Sequence, residues 1–223
     1  MTHGNDPAGS PRSAASGMAV GGCGLRVIPG YLDRRRQEEL LAALREVMAR
    51  APVYTPRMPK SGRPLSVRMT NCGPLGWMTD AGGYRYQRHH PETGDPWPPI
   101  PDILLAAWRD LSFYPHAPEA CLVNVYGPAA RMGLHQDRDE EDMTAPVVSL
   151  SLGDTCLFRV GGLERNDPTR ALRLTSGDAV VLGGDARLAF HGVDRIIAGT
   201  STLLQEGGRI NLTLRRVTRP LSS

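Results

Sequence analysis

The sequence has almost no lysine, no closely spaced cysteine pair and no long apolar segment. Lys60 is the only lysine among 26 basic residues. An excess of arginine suits bidentate recognition of carboxylate or phosphate, although a biased genome composition would explain the surface arginines equally well. The four cysteines form no CxxC pair, which disfavours a zinc knuckle or a thioredoxin-like site. Scattered cysteines of this kind are typical of core positions in a reducing compartment.

Segments that target or anchor a protein are also missing from the sequence. No apolar stretch approaches the roughly 18 residues that a membrane-spanning helix requires. Residues 1–22 are rich in Gly, Ser, Ala and Pro, and they lack the basic start and the apolar region of a signal peptide. We therefore expect a disordered N-terminal tail over 1–22, a C-terminal tail over 218–223 and a cytoplasmic protein.

The front half contains two segments with helical periodicity. Apolar residues recur at helical spacing between 33 and 50, and Asp33 is placed to cap the start of that helix. A shorter helix is predicted over 101–111. Residues 51–100 carry many prolines and glycines without a sustained period, and irregular chain of this length is usually functional or disordered. Three closely spaced aromatic residues argue against disorder there: Trp77, Tyr84 and Tyr86.

The back half changes to short strand-like segments separated by turns. The segments with alternating or β-branched apolar residues are 121–127, 147–152, 156–160, 178–184 and 209–215. Their spacing predicts an antiparallel sandwich or barrel, of which the double-sheet jelly roll is one form. We expect an α+β protein with a single domain over 23–217, divided into a front part (about 23–118) and a β-rich core (about 119–217).

The stretch LHQDRDE (134–140) places His135 and Asp137 two residues apart. Side chains at i and i+2 of an extended chain point to the same side, so one metal ion could bind both. Two histidines and one carboxylate on one face of Fe(II) leave positions open for a chelating co-substrate and oxygen. The one histidine after Asp137 is His191, which makes it the candidate third ligand. An HxD pair alone is more often part of a solvated loop. The β-rich context and the later histidine favour a metal site over that alternative.

Two of the predicted strands have a polar face that suits a carboxylate ligand. The polar face of RINLTLR (209–215) consists of Arg209, Asn211, Thr213 and Arg215. Asn124 and Tyr126 share a face of the first strand in the same way. A strand half exposed to water would alternate similarly. Guanidinium groups at either end of the last strand could instead hold a small dicarboxylate whose keto group binds the metal, which fits a 2-oxoacid co-substrate.

Together these stretches resemble the AlkB family of Fe(II)/2-oxoglutarate-dependent nucleic acid dealkylating dioxygenases, in particular its bacterial branch. The resemblance is carried by SVRMTNCGPLGWMTDAGGYRYQ (66–87), NVYGPAARMGLHQDRDE (124–140), SLSLG (149–153), GGLERNDP (161–168), FHGV (190–193) and RINLTLR (209–215). It extends over about 24–217. It implies a double-stranded β-helix (jelly roll) core with N-terminal helices and a nucleotide-recognition lid within the front part.

The resemblance also implies roles for individual residues. The catalytic Fe(II) ligands would be His135, Asp137 and His191. The 2-oxoglutarate contacts would come from Asn124, Tyr126, Arg209, Asn211 and Arg215. The substrate-binding residues would be Trp77, Tyr84, Asp139 and Arg165. Family members often have an aromatic residue where this chain has Ile210, whose side chain we expect to face away from the co-substrate.

Residues 57–90, the lid segment, are strongly basic. One acidic residue, Asp80, stands against Arg57, Lys60, Arg63, Arg68, Arg85 and Arg88. A basic segment with aromatic residues suits single-strand binding and base stacking, although a solvated loop with core aromatics has the same composition. In the related enzymes this segment covers the active site, and the residues that correspond to Trp77 and His191 lie on either side of the damaged base.

The resemblance implies oxidative demethylation of 1-methyladenine and 3-methylcytosine, with Fe(II), 2-oxoglutarate and O2, and with release of formaldehyde, succinate and CO2. The base must leave the stack to react, and Asp139 would stabilise its positive charge. We expect a monomer that acts on single-stranded or duplex DNA, with RNA left open. The alternatives are a 2-oxoglutarate-dependent hydroxylase of a protein side chain or small molecule, and a non-catalytic nucleic-acid-binding module. The lid and the 161–168 motif disfavour the first, and the intact triad with both arginines disfavours the second.

Overall fold

A computed structural model describes Met18–Ala19 and residues 24–220 of the chain. Most of the predicted N-terminal tail, and residues 221–223 of the predicted C-terminal tail, lie outside the described residues. Thr218, which falls in that C-terminal tail, donates its main-chain N–H to Glu119 Oε2 at 2.6 Å. The domain limits at 23 and 217 remain a prediction.

The two predicted helices are confirmed. Helix α1 (Arg34–Arg50) begins where Asp33 accepts a hydrogen bond from the main-chain N of Arg36 at 2.8 Å, which satisfies one of the free N–H groups of the first turn. Helix α2 (Asp102–Ser112) ends at Phe113, whose left-handed conformation (φ 52°) stops the helix. Within the described part of the chain, no helix is long and apolar enough to cross a membrane.

The strands form two main sheets and one hairpin. In chain order they are β1 (Met18–Ala19), β2 (Leu25–Ile28), β3 (Arg68–Cys72), β4 (Gly76–Asp80), β5 (Gly83–Gln87), β6 (Ala120–Tyr126), β7 (Met132–His135), β8 (Val147–Gly153), β9 (Thr155–Val160), β10 (Arg170–Leu174), β11 (Ala179–Leu182), β12 (His191–Ile197) and β13 (Arg209–Arg215). The large sheet has the order β1-β2-β11-β8-β13-β6-β3, and the small sheet has the order β10-β9-β12-β7. All pairings are antiparallel, and β4 pairs with β5 alone.

Two apolar layers position the large sheet. On one face Ile210, Leu212 and Leu214 belong to a cluster with the buried residues of both helices. On the other face Tyr126 belongs to a second cluster that also contains residues of the small sheet, among them Val193. The two sheets therefore face each other across a core, as in a jelly roll, and the helices cover the outside of the large sheet. The polar side of β13 points into this core, so the alternative of a half-exposed strand is wrong.

The expectation of irregular chain over 51–100 is wrong for three strands, β3, β4 and β5. Four of the five residues of β3 are buried, because the strand pairs with β6 inside a covered sheet, and a strand buried on both faces shows no alternation in sequence. The β4–β5 hairpin reverses at Ala81 and Gly82, and β5 begins with Gly83, which has a φ of 100°. Such a hairpin has little apolar content to reveal it.

Candidate active site

The three predicted metal ligands come together at one end of the small sheet. His135 is the last residue of β7, and it lies directly opposite His191, the first residue of β12, in the antiparallel register. Asp137 follows two residues later, and its oxygens lie 3.7 Å from His135 Nε2 and 3.9 Å from His191 Nε2. The potential ligand atoms all lie within 4.8 Å of one another. Strand pairing thus explains how a histidine distant in sequence completes the triad.

Main-chain carbonyl groups orient both histidine rings. His135 Nδ1 lies 3.0 Å from Gly133 O, and His191 Nδ1 lies 2.9 Å from Ala189 O. Because a carbonyl oxygen only accepts, each Nδ1 carries the proton and each Nε2 presents its lone pair to the space between the ligands. Burial, reinforced by the neighbouring His135, lowers the pKa of His191 to about 4. His191 is therefore neutral near pH 7, which is the form that binds a metal ion.

Asp137 is held in its charged form by its neighbours. Burial alone would raise the pKa of Asp137, but the Arg215 guanidinium, followed by the two histidines, outweighs it and holds the pKa well below the usual range. Arg215 Nη2 lies 2.8 Å from Asp137 Oδ2. A carboxylate that stays ionised without a metal ion is ready to bind one, and the donor set of two neutral imidazoles and one carboxylate suits Fe(II).

The sequence reasoning missed two buried residues beside the triad, Glu140 and Arg187. Glu140 accepts hydrogen bonds from the hydroxyl of Tyr86 and from Arg187 Nη2 (3.0 Å), and it lies 3.4 Å from Arg215 Nε. Burial raises the pKa of Tyr86 well above its ordinary value, so the phenol stays protonated and donates a hydrogen bond to Glu140. Glu140 stands in the same LHQDRDE stretch as the ligands, which was the available signal; nothing in the sequence singles out Arg187 from the other arginines.

The opposite end of β13 has a buried arginine, Arg209, which forms no ion pair with a carboxylate in the part of the chain that the structure describes. Arg209 is 1% exposed, and its strongest contact is from Nη2 to Ser151 Oγ at 2.6 Å. Its Nε and the nearby Asn124 Oδ1 are buried without a hydrogen-bond partner among the described residues. A buried cation in this state is costly unless an anion joins it. The residues present therefore fit a small anionic co-substrate.

The other predicted 2-oxoglutarate contacts lie on the same interior face. Tyr126 is buried, which raises the pKa of its phenol, and its hydroxyl points to the sulfur of Met132 at 3.7 Å. Asn211 donates to Ser149 Oγ at 2.7 Å. Ile210 lies on the opposite face, in the cluster with the helices. Ile210 therefore faces away from the predicted contact residues, and its orientation relative to the co-substrate stays a prediction.

The lid segment brings its aromatic residues onto the loop that carries the ligands. The rings of Trp77 and Tyr84 stack with centroids 5.7 Å apart and an angle of 19°. Trp77 Nε1 donates to Asp139 Oδ2 at 2.8 Å, and Asn71 holds the main chain of Trp77 through both its amide atoms. Asp139 is exposed. A partly exposed aromatic pair thus lies against the loop that carries Asp137, with the carboxylate of Asp139 at its edge.

The guanidinium groups of Arg165 and Arg85 both have partners within the protein. Arg165 Nη1 lies 3.4 Å from Leu134 O, the residue before His135, and its guanidinium lies over the ring of Phe190. These contacts place Arg165 beside the residues that precede His135 and His191, and its role as a substrate contact stays a prediction. Within the lid segment, Arg85 forms a two-point ion pair with Asp80 at 2.8 and 2.9 Å. Its charge is therefore largely neutralised, unlike that of Arg63, whose guanidinium has no partner among the described residues.

The comparisons with known proteins agree with this site. The model of the 2OG-Fe(II) oxygenase superfamily matches residues 24–215, and the chain belongs to that superfamily. It is 56% identical over 193 residues to the "Alpha-ketoglutarate-dependent dioxygenase AlkB homolog" of Caulobacter vibrioides (strain NA1000 / CB15N), covering 86% of this chain and 87% of that protein. It is 42% identical over 183 residues to the "Alpha-ketoglutarate-dependent dioxygenase AlkB" of Escherichia coli (strain K12), covering 80% and 84%.

Structural similarity leads to the same group. The solved structure of OsALKBH1 superimposes with a TM-score of 0.75 at 30% sequence identity, over 90% of this chain and 99% of that one. Within the superfamily, the chain belongs to the AlkB family of Fe(II)/2-oxoglutarate-dependent dioxygenases. Fe(II) is therefore its metal and 2-oxoglutarate its co-substrate.

Proposed function

We propose that this protein removes methyl groups oxidatively from alkylated nucleobases, with 1-methyladenine and 3-methylcytosine in DNA as substrates. The observation that carries the proposal is the stacked pair of Trp77 and Tyr84, which is hydrogen-bonded to Asp139, two residues after the proposed ligand Asp137. A flat aromatic surface next to a carboxylate suits a planar, positively charged base. Membership of the AlkB family supports the same reaction.

His135, Asp137 and His191 are the proposed Fe(II) ligands. Bound Fe(II) with 2-oxoglutarate and O2 supplies the oxidant that hydroxylates the methyl group, and 2-oxoglutarate is converted to succinate and CO2. Arg215 keeps Asp137 ionised through a contact of 2.8 Å. The buried Arg209 binds the carboxylate remote from the metal, because it is the arginine of β13 whose charge the protein leaves uncompensated. Asn124, Tyr126 and Asn211 complete the co-substrate pocket.

On the substrate side, the base must leave the stack to reach the metal. Trp77 and Tyr84 provide ring surface for it, and Asp139 provides the negative charge that a methylated, cationic base requires. Arg165 contacts the nucleic acid near the lesion. We further propose that the protein acts as a monomer in the cytoplasm; the free thiols of Cys72, Cys121 and Cys156 support a reducing compartment.

A hydroxylase for a protein side chain or a small molecule is the alternative function. It would use the same triad and the same co-substrate pocket, but it would not need an exposed aromatic pair on a basic segment. The test must therefore separate consumption of 2-oxoglutarate from release of formaldehyde by a methylated base.

The decisive experiment measures formaldehyde and succinate from a panel of DNA and RNA oligonucleotides that carry 1-methyladenine, 3-methylcytosine or no methyl group. We expect equal amounts of both products from the methylated strands, and none without Fe(II) or 2-oxoglutarate. Asp137→Ala should abolish turnover. Asp194→Ala, which removes an exposed carboxylate paired with Arg159 at 3.7 Å, should leave it unchanged because exposed pairs contribute little.

Two results would contradict the proposal. Unchanged turnover by Asp137→Ala would overturn the metal assignment. Consumption of 2-oxoglutarate by an active preparation, with no formaldehyde from any methylated strand, would favour the hydroxylase. The ratio of DNA to RNA turnover decides which nucleic acid is preferred.

A further inference from the structure

Two hydrogen bonds connect the segments that carry the proposed metal ligands, one in each direction. Gln136 stands between His135 and Asp137, and its Nε2 donates to the main-chain O of Leu188 at 2.7 Å. Arg187 precedes His191 by four residues, and its Nη1 donates to the main-chain O of Asp137 at 2.6 Å. Each side chain thus reaches from one ligand segment to the backbone of the other.

The guanidinium of Arg187 is buried, and all three of its nitrogens donate to acceptors of the protein. Its Nε donates to Ala145 O at 2.8 Å and its Nη2 to Glu140 Oε2 at 3.0 Å, in addition to the bond to Asp137 O. The side chain is 4% exposed. A buried cation whose donors are directed at main-chain oxygens and one carboxylate orders the chain around it; only the planar fork of arginine satisfies three such acceptors at once.

The residue after Leu188 completes the connection. Ala189 O accepts from His191 Nδ1 at 2.9 Å, which orients the imidazole ring. Residues 187–189 are here called the clamp segment. Its Arg187 side chain binds the main chain of Asp137. Its Leu188 carbonyl accepts from Gln136, and its Ala189 carbonyl accepts from His191. A shift of the clamp segment would displace the His191 ring and the Asp137 backbone relative to each other.

We infer that Arg187, assisted by Gln136, is a positioning residue that sets the separation of the metal ligands before Fe(II) binds. The inference rests on the proposed assignment of His135, Asp137 and His191 as ligands. Hydrogen bonds from outside the ligand set typically change metal affinity by about 10- to 100-fold. Arg187 acts in this way through the backbone of Asp137 and through Glu140.

The test compares Arg187→Lys with Arg26→Lys. The guanidinium of Arg26 also donates a hydrogen bond to a main-chain carbonyl, that of Leu111. Arg26 and Leu111 both lie outside the ligand segments. Anaerobic titration with Fe(II) should show about 10- to 100-fold weaker binding for Arg187→Lys and unchanged binding for Arg26→Lys. The charge-transfer absorption of the Fe(II)–2-oxoglutarate complex should shift for Arg187→Lys alone, because that absorption depends on ligand geometry.

Gln136→Ala provides a second measurement if Arg187→Lys does not fold. It removes only the bond to Leu188 O at 2.7 Å and a longer bond to Leu163 O at 3.2 Å, and it should weaken Fe(II) binding by a smaller factor. The double variant should lose less than the product of the two single losses, because both bonds join the same two segments.

The inference is overturned if the folded Arg187→Lys and Gln136→Ala variants bind Fe(II) as tightly as the parent, with the same absorption. A merely structural role would lower the unfolding temperature without changing either measurement. Asp137→Ala separates this failure from failure of the proposed function. If Asp137→Ala binds Fe(II) normally, the ligand assignment is wrong; if it loses Fe(II) while the clamp variants do not, only the positioning role is wrong.

Discussion

The interior of the site and the lid segment differ in how their polar groups are compensated. Beside the ligands, Arg215, Arg187 and Glu140 are each at most 6% exposed, and each has two or more polar contacts within the protein. In the lid segment, Tyr84 is 50% exposed, and Arg63 is exposed without a side-chain partner among the described residues. The polar groups of the interior are satisfied by the protein, whereas Tyr84 and Arg63 of the lid segment are exposed to solvent.

The difference indicates two kinds of recognition. In the interior the protein already supplies the counter-charges, so the metal site is organised before a ligand arrives. Removal of one partner leaves the other as an uncompensated charge in a low dielectric. Arg209 is the exception, and we propose that a carboxylate of the co-substrate supplies its missing counter-charge. For the lid segment we propose binding of nucleic acid whose free energy depends on base stacking and on salt.

The largest expected effect separates the two arginines of β13. Arg215→Met should destabilise the metal-free protein by about 3–5 kcal/mol, because Asp137 and Glu140 lose their buried counter-charge. Arg209→Met should leave the stability of the metal-free protein unchanged or raise it, since the charge it removes is uncompensated. Denaturant unfolding without Fe(II) or 2-oxoglutarate measures both free energies.

The same Arg209→Met variant should have a much weaker co-substrate site. Loss of a buried, charge-assisted contact costs at least about 2 kcal/mol, so the apparent KM for 2-oxoglutarate should rise by about 30-fold or more. Fe(II) affinity should stay the same, because Arg209 contacts none of the triad residues. An unaltered requirement for 2-oxoglutarate would remove the distinction between the two ends of β13.

An intermediate effect is expected in the lid segment. Trp77→Ala should lower kcat/KM for an oligonucleotide with 3-methylcytosine by about 5- to 150-fold, because base stacking on an aromatic ring contributes about 1–3 kcal/mol. Fe(II) and 2-oxoglutarate affinities should not change. Phe113→Ala, which removes an aromatic side chain that is 79% exposed outside the lid segment, is the matched control. Equal repair by Trp77→Ala and the parent would contradict the role of the lid.

The smallest effect concerns salt. Arg63→Ala should reduce the slope of log affinity against log salt concentration by about 0.7 for a single-stranded oligonucleotide, as expected for one lost phosphate contact. Arg85→Ala should change the slope less, because Asp80 already neutralises that guanidinium. Fluorescence anisotropy at several salt concentrations measures the slopes, and equal changes for the two variants would show that the Arg85–Asp80 pair opens on binding.

Much of the fold followed from local patterns. The apolar spacing and the Asp33 cap were sufficient for α1, and strict alternation was sufficient for β13, whose bounds agree with the prediction. The hairpin of β4 and β5 was missed because β5 is only partly buried and because the burial of β4 does not alternate. Strands β7 and β12 were also missed, since their pairing depends on partners far away in the sequence.

The sequence by itself determined the chemistry available to the site: which residues can bind a metal ion, and which strands offer a polar face. These properties are local, because they depend on side-chain type and on the two-residue alternation of side chains along a β-strand. Only the tertiary structure decided which charges are compensated. Arg209 and Arg215 are equivalent in the sequence pattern, but the loop after β7 brings Asp137 and Glu140 to one of them alone. That choice, like the clamp by Arg187, arises from contacts between distant segments in a low dielectric, where one neighbour changes the free energy by several kcal/mol.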